Sequence, residues 1–282
     1  MTELFTLFFQ GWIHFSQNHP AAVPFVYLLG GKTLFFCLFV LMTFAGAHFF
    51  KSSQPSGFDV NWDMRIVAEI FFTFLLFQAV AVYFKTPFMD SENLEGIVTV
   101  WSLIEYVFLF ILLWVVARFA LGRGLAQMGW RAENLHKDVV VAFRGILFIG
   151  VLAGLTNFLY WTEILTVSSK IVERVTLASL LSNGIFSILQ MILVLIISPI
   201  CEETFYRGFI YPVLRNKLPK VFAIVLVSLF FASVHFQWNY FPLLFLMSCA
   251  VTVAYDKTQR LVAPVAMHAF YNVLIMLGFF SY

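Results

Sequence analysis

The stretch MILVLIISPICEETFYRGFIY, from Met191 to Tyr211, decides the fold. Seven apolar residues lead into Ser198-Pro199-Ile200-Cys201-Glu202-Glu203-Thr204-Phe205-Tyr206-Arg207-Gly208, and Phe209-Ile-Tyr211 restores the apolar character beyond it. A charge inside hydrocarbon costs about 2.5–3.5 kcal/mol on insertion scales, so it persists where it pairs or lines a polar cavity. The rest of the chain matches the setting of this stretch. Of 282 residues, 61% are hydrophobic and only 11% charged, with 36 Phe. A soluble domain carries about 25% charged residues, enough to coat its surface. This chain cannot coat one, and its hydrophobicity excludes intrinsic disorder. What remains is an all-α polytopic integral membrane protein. The net charge of +2 is too small to indicate a nucleic-acid partner.

Working outward, apolar runs predict about eight transmembrane helices, near 27–50, 64–84, 97–117, 140–160, 184–211, 221–238, 241–255 and 261–281. They form a single transmembrane domain over 1–282, with the chemistry-bearing motifs confined to 185–282. The first span contains Lys32, and the seventh is short. The N-terminus, with Glu3 and no basic residue before the apolar run, is not a signal peptide; it reads as an interfacial helix or part of a first hairpin. Most basic residues, including Arg118, Arg131, Lys137, Arg215, Lys217, Lys220, Lys257 and Arg260, fall on the side of the 118–139 segment, which is therefore inside. Lys32, Lys85, Lys170 and Arg174 fall on the other, where the 85–96 loop is acidic. The 118–144 segment reads either as an amphipathic helix on an anionic leaflet or as a solvated basic loop. Cys37, Cys201 and Cys249 have no paired spacing, which argues against disulfides or a zinc knuckle.

Within the deciding stretch, Glu203 and Arg207 are four apart, so they share a helical face and can pair. Glu202 points about 100° away and is a candidate general base. Pro199 removes a backbone donor and frees a carbonyl one turn earlier; Gly208 permits close approach of another backbone. Two further features follow. His235 ends the run Phe230-Phe231-Ala232-Ser233-Val234-His235, and His268 and Asn272 share one face of the last span. At 1.5 Å per residue, Glu202, His235 and Asn272 lie roughly 18–22 Å from the basic ends of their spans, and His268 roughly 12 Å. Groups from three spans therefore overlap in depth and are expected to surround one cavity. Glu69 and Glu105 lie in the second and third spans; either could face the same cavity or pair with a helix-end Arg, and a structural role is expected for both.

In this order on successive membrane helices, Glu202-Glu203-x3-Arg207, Phe231-x3-His235 and His268-x3-Asn272 resemble the three motifs of the CPBP family, the type II CAAX prenyl proteases and bacteriocin-processing intramembrane proteases. The resemblance covers about 185–282. It implies peptide-bond hydrolysis in the membrane. Glu202 would activate water with His235, His268 and Asn272 would steady the oxyanion, and Glu203 and Arg207 would form a supporting ion pair. The substrate would be a membrane-associated or lipidated peptide or protein, in a bacterial cell membrane rather than the endoplasmic reticulum. No cofactor is expected; a zinc site from Glu202, His235 and His268 is the alternative. Rival readings are a small transporter using the same buried charges, which lacks the expected internal symmetry, and a non-catalytic immunity or scaffold protein of the same family.

Overall fold

The computed structural model describes residues 23–49, 57–58, 60–85, 94–122, 124–131, 133–161, 184–237 and 240–277. Residues 1–22, most of the acidic 85–96 loop, Lys170 and Arg174 lie outside them. The described residues form eight helices and no strand. These are α1 (Val23–Phe49), α2 (Met64–Lys85), α3 (Leu94–Val115, continued by a π-helical turn Val116–Ala120), α4 (Leu135–Trp161), α5 (Ile185–Lys217), α6 (Lys220–Ser233), α7 (Phe241–Thr258) and α8 (Val262–Met276). A 3-10 turn, Leu125–Met128, lies between α3 and α4. The chain is thus an all-α, multi-pass membrane protein.

All eight helices fall where hydropathy placed them, but they are not eight equivalent spans. Five, α1 to α5, are long and apolar enough to cross a membrane. With 14 and 15 residues, α6 and α8 rise only about 21 and 23 Å, short of the roughly 30 Å hydrocarbon core. Burial explains the difference. Ala223, Val227, Phe230, Phe231 and Ala232 of α6 are buried, as are Ala263, Met267, His268 and Tyr271 of α8. A helix enclosed by protein is released from the length that lipid dictates.

The long helices carry the lipid face. On α3, Val100, Ile104, Val107, Ile111 and Trp114 are exposed. Their spacing of three and four residues draws one apolar stripe down the helix, which only hydrocarbon can cover. The opposite extreme is α5, where every residue from Cys201 to Arg215 is buried. Around it α6 packs on α7, α7 on α8, and α8 on α4. Rings from α1 close the other side: Phe36 stacks on Phe71 of α2 at 4.0 Å, and Phe39 on Phe230 of α6 at 4.6 Å.

The basic side is held by ion pairs, one of them buried. Arg260 Nε donates to both oxygens of Asp138 on α4 at 2.9 and 2.8 Å. Asp256 pairs with Lys220 and accepts from the Tyr211 hydroxyl at 2.7 Å. Neither expectation for 118–144 describes Leu125–Trp130, which tucks into the bundle. Met128 is fully buried, its carbonyl accepts from Tyr255 Oη at 3.0 Å, and Trp130 Nε1 donates to Thr204 Oγ1 at 3.0 Å. Three apolar or aromatic side chains outweigh the flanking charges here. The approach is possible because residue 208 is glycine: a Cβ there would lie 2.7 Å from Met128 O. Gly208→Ala is accordingly expected to destabilise the protein by about 1–3 kcal/mol through overpacking. Gly150→Ala, which meets nothing within 4 Å, should not. Thermal unfolding of both variants in detergent, compared with wild type, checks this.

Candidate active site

Locally, α5 is not a regular helix. Leu193–Ile197 and Thr204–Ile210 are wound as π-helix on either side of Ser198–Glu203, and such widened turns gather at functional sites. Ser198 N–H donates to Leu193 O, five residues back. The same register would set residue 199 against Val194 O, but residue 199 is proline and has no N–H. The orphaned Val194 carbonyl accepts instead from Asn272 Nδ2 of α8 at 2.8 Å. The carbonyl expected to be freed by Pro199 therefore exists, and it is the partner of Asn272.

One turn on, the two glutamates part company. Glu203 is fully buried; its Oε1 accepts from Arg207 Nη1 at 2.7 Å and lies 2.8 Å from His268 Nδ1. Arg207 is also fully buried. Its Nη2 donates to Ser248 Oγ at 2.7 Å and Ser248 O at 3.2 Å, its Nε donates to Thr252 Oγ1 at 3.3 Å, and its guanidinium lies 4.8 Å from the Phe231 ring. One cation thus joins α5, α6 and α7, and its carboxylate joins α8. The pairing expected from the i, i+4 spacing is present.

Glu202 turns the other way, into a cavity of about 250 Å³. Its Oε1 accepts from the Tyr106 hydroxyl of α3 and from Ser198 Oγ, each at 2.6 Å. Its Oε2 has no hydrogen-bond partner among the described residues and lies 3.7 Å from His235 Nε2. That ring is set by the end of α6. The helix stops at Ser233, five residues before the expected end of the span, so His235 sits on a turn rather than on a helical face. His235 Nδ1 lies 2.6 Å from Phe231 O. A carbonyl only accepts, so Nδ1 carries a hydrogen, and Nε2 is the ring nitrogen that faces Glu202. Phe236 follows with φ of 55°. Its ring fills the place where a Cβ on Gly31 of α1 would stand, and it packs on Phe35 at 5.5 Å.

Of the six expected site residues, Glu202 and His235 share the cavity, while Glu203, Arg207 and His268 form the buried network behind it. His268 and Asn272 are not among the residues lining the cavity around Glu202. His268 Nδ1 lies beside Glu203 Oε1, and Asn272 Nδ2 gives a hydrogen to Val194 O. The same geometry parts the alternative zinc set of Glu202, His235 and His268. Among the described residues no three His, Cys, Asp or Glu side chains are placed to hold a metal.

Several cavity residues escaped the sequence reading. Tyr106, Lys32 and Gln78 line the cavity from α3, α1 and α2. Lys32 Nζ donates to Gln78 Oε1 at 3.3 Å, and Gln78 Nε2 donates to Glu105 Oε2 at 3.0 Å. Glu105 therefore faces the cavity, one of the two placements expected of it. Glu69, by contrast, is exposed and pairs with Arg65 at 2.9 Å, as expected. Ser198 is four residues before Glu202, a spacing that carries the signal for their hydrogen bond.

With this geometry in place, comparison with known proteins is specific. Residues 183–274 match the family model described as type II CAAX prenyl endopeptidase Rce1-like. Two relatives from Lactococcus lactis subsp. lactis (strain IL1403) are similar over most of their length. UPF0177 protein YaiF is 25% identical over 216 residues, covering 74% of this chain and 94% of the relative. UPF0177 protein YbdI is 23% identical over 187 residues, covering 65% and 97%. No solved structure gives a significant match. Through α5 to α8 and the paired glutamates they carry, this third of the chain is similar to the Rce1-like type II CAAX prenyl endopeptidases.

Proposed function

We propose that the protein is an intramembrane endopeptidase that hydrolyses a peptide bond of a membrane-associated or lipidated peptide or protein. The observation that carries this reading is the asymmetric holding of Glu202. Two hydroxyls fix Oε1 at 2.6 Å, while Oε2 faces His235 Nε2 across 3.7 Å inside a cavity. That separation is too long for a direct hydrogen bond and suits a water touching both groups. Such a water gives one hydrogen to Glu202 Oε2 and the other to His235 Nε2, leaving an oxygen lone pair for a substrate carbonyl. As the C–O bond forms, Glu202 takes the proton, acting as general base. The C–N bond then breaks as Glu202 returns that proton to the departing amine. Glu203, Arg207 and His268 touch no reacting atom; they hold α5, α7 and α8 in register beneath the base. No metal takes part in this scheme.

The apolar surroundings of the cavity and the lipid-facing helices favour a substrate that reaches the site from the bilayer. The Lactococcus relatives support placement in a bacterial cell membrane.

Two measurements test the reading, both on purified full-length protein in proteoliposomes with fluorogenic lipidated peptides. Glu202→Gln keeps the size and loses the base; cleavage is expected to fall by about 10²–10⁴-fold, with an unchanged thermal midpoint. Comparable cleavage by the variant overturns Glu202 as base, and ion flux without any peptide product overturns the protease. Separately, a zinc chelator is expected to leave the rate unchanged. Loss of activity that returns on adding zinc would replace the glutamate mechanism.

A further inference from the structure

We propose that Tyr106 supplies the hydrogen bond that stabilises the oxyanion of the tetrahedral intermediate. This rests on the hydrolytic reading above and adds a residue from α3, outside the segment that the family match covers. Tyr106 lines the cavity together with Glu202 and His235, and its hydroxyl lies directly on the base, 2.6 Å from Glu202 Oε1. Ser198 holds the same oxygen at the same distance but is not among the cavity-lining residues. One hydroxyl therefore faces the reacting space, and the other stays behind it. The bonded donors of His268 and Asn272 are engaged with Glu203 and Val194 O.

The chemistry moves charge in a way that releases the Tyr106 donor at the right moment. In the resting state the phenol donates to a carboxylate, a charge-assisted bond. When water attacks, its proton goes to Glu202 Oε2, its oxygen bonds to the substrate carbon, and the carbonyl π pair moves onto oxygen. Glu202 is now a neutral acid, and Oε1 is the weaker acceptor. A full negative charge has appeared instead on the substrate. Tyr106 keeps its proton and turns its O–H about the Cζ–O bond toward the oxyanion. Ser198 remains on Oε1, so the acid keeps its orientation. When the C–N bond breaks, the nitrogen takes the proton from Oε2. The carboxylate is restored and recaptures the phenol.

Tyr206 is the internal control. It is the other phenol lining the cavity, one turn beyond Glu202, but it packs edge-on against Phe230 and Phe231 and makes no hydrogen bond to Glu202. In the full-length protein, Tyr106→Phe is expected to lower kcat by about 10²–10³-fold, the cost of removing one oxyanion donor, with KM nearly unchanged. Affinity for a peptide aldehyde, whose hydrate mimics the tetrahedral carbon, should fall in parallel. Tyr206→Phe should leave both within about threefold. A Tyr106→Phe protein that keeps its kcat overturns the assignment. So does one that loses kcat without losing aldehyde affinity, because Tyr106 then only positions Glu202. Should Tyr106→Phe fail to fold, 3-fluorotyrosine at position 106 keeps the shape and strengthens the donor. A kcat insensitive to that change also overturns the proposal. A wild-type protein inert toward peptides removes the hydrolytic reading and this one together; an active wild type with a fully active Tyr106→Phe removes this one alone.

Discussion

A single carboxylate oxygen organises the C-terminal half of the molecule. Glu203 Oε1 meets both Arg207 and His268, and Arg207 spends its remaining donors on Ser248 and Thr252. Removing two charges from water is costly, and the attraction between them compensates only when their other hydrogen-bonding capacity is met. The planar guanidinium meets that condition in part, reaching Glu203, Ser248 and Thr252 at once, while Glu203 Oε2 has no hydrogen-bond partner among the described residues. The consequence is geometric: α5 cannot rotate about its axis without breaking the network, so Glu202, the next residue, is fixed facing the opposite way. The supporting pair and the candidate base are one decision made by the 100° step between adjacent helical residues.

The N-terminal helices carry no motif, and in the structure they are half of the site. They provide Tyr106, Lys32, Gln78 and Glu105 to the cavity, and Gly31 gives the Phe236 ring its seat. That seat holds the turn on which His235 rides. The division of labour is physical. The buried α5–α8 core presents the acid and the imidazole, and the lipid-facing α1–α3 close the cavity over them.

Legibility in the sequence follows the range of the interaction. The Glu203–Arg207 pair was readable because four residues make one helical turn, and the depth overlap of Glu202 and His235 was readable because helical rise is constant. All eight helices could be located because apolar runs are long. What hydropathy did not distinguish was an apolar helix facing lipid from one enclosed by protein, so α6 and α8 passed for full spans. Tyr106 was out of reach because its bond to Glu202 joins residues 96 apart, and a tyrosine in an apolar run carries no local sign of its partner. The burial of Met128 and Gly129 was hidden by the basic residues around them, although Gly208 marked the surface that receives them.

Pro199 and Asn272 form a pair with a shared logic. A helix that widens by one residue per turn shifts every donor to a new acceptor, and proline at one place in that shifted ladder leaves a single carbonyl, Val194 O, with lone pairs and no backbone neighbour to use them. The amide of Asn272 completes the ladder from a different helix. Any ordinary residue at 199 would bring its own N–H to that carbonyl and compete with the amide that couples α8 to the wall carrying the acid. The missing hydrogen of one imino acid thus serves as a keyhole, and the last helix is the key cut for it.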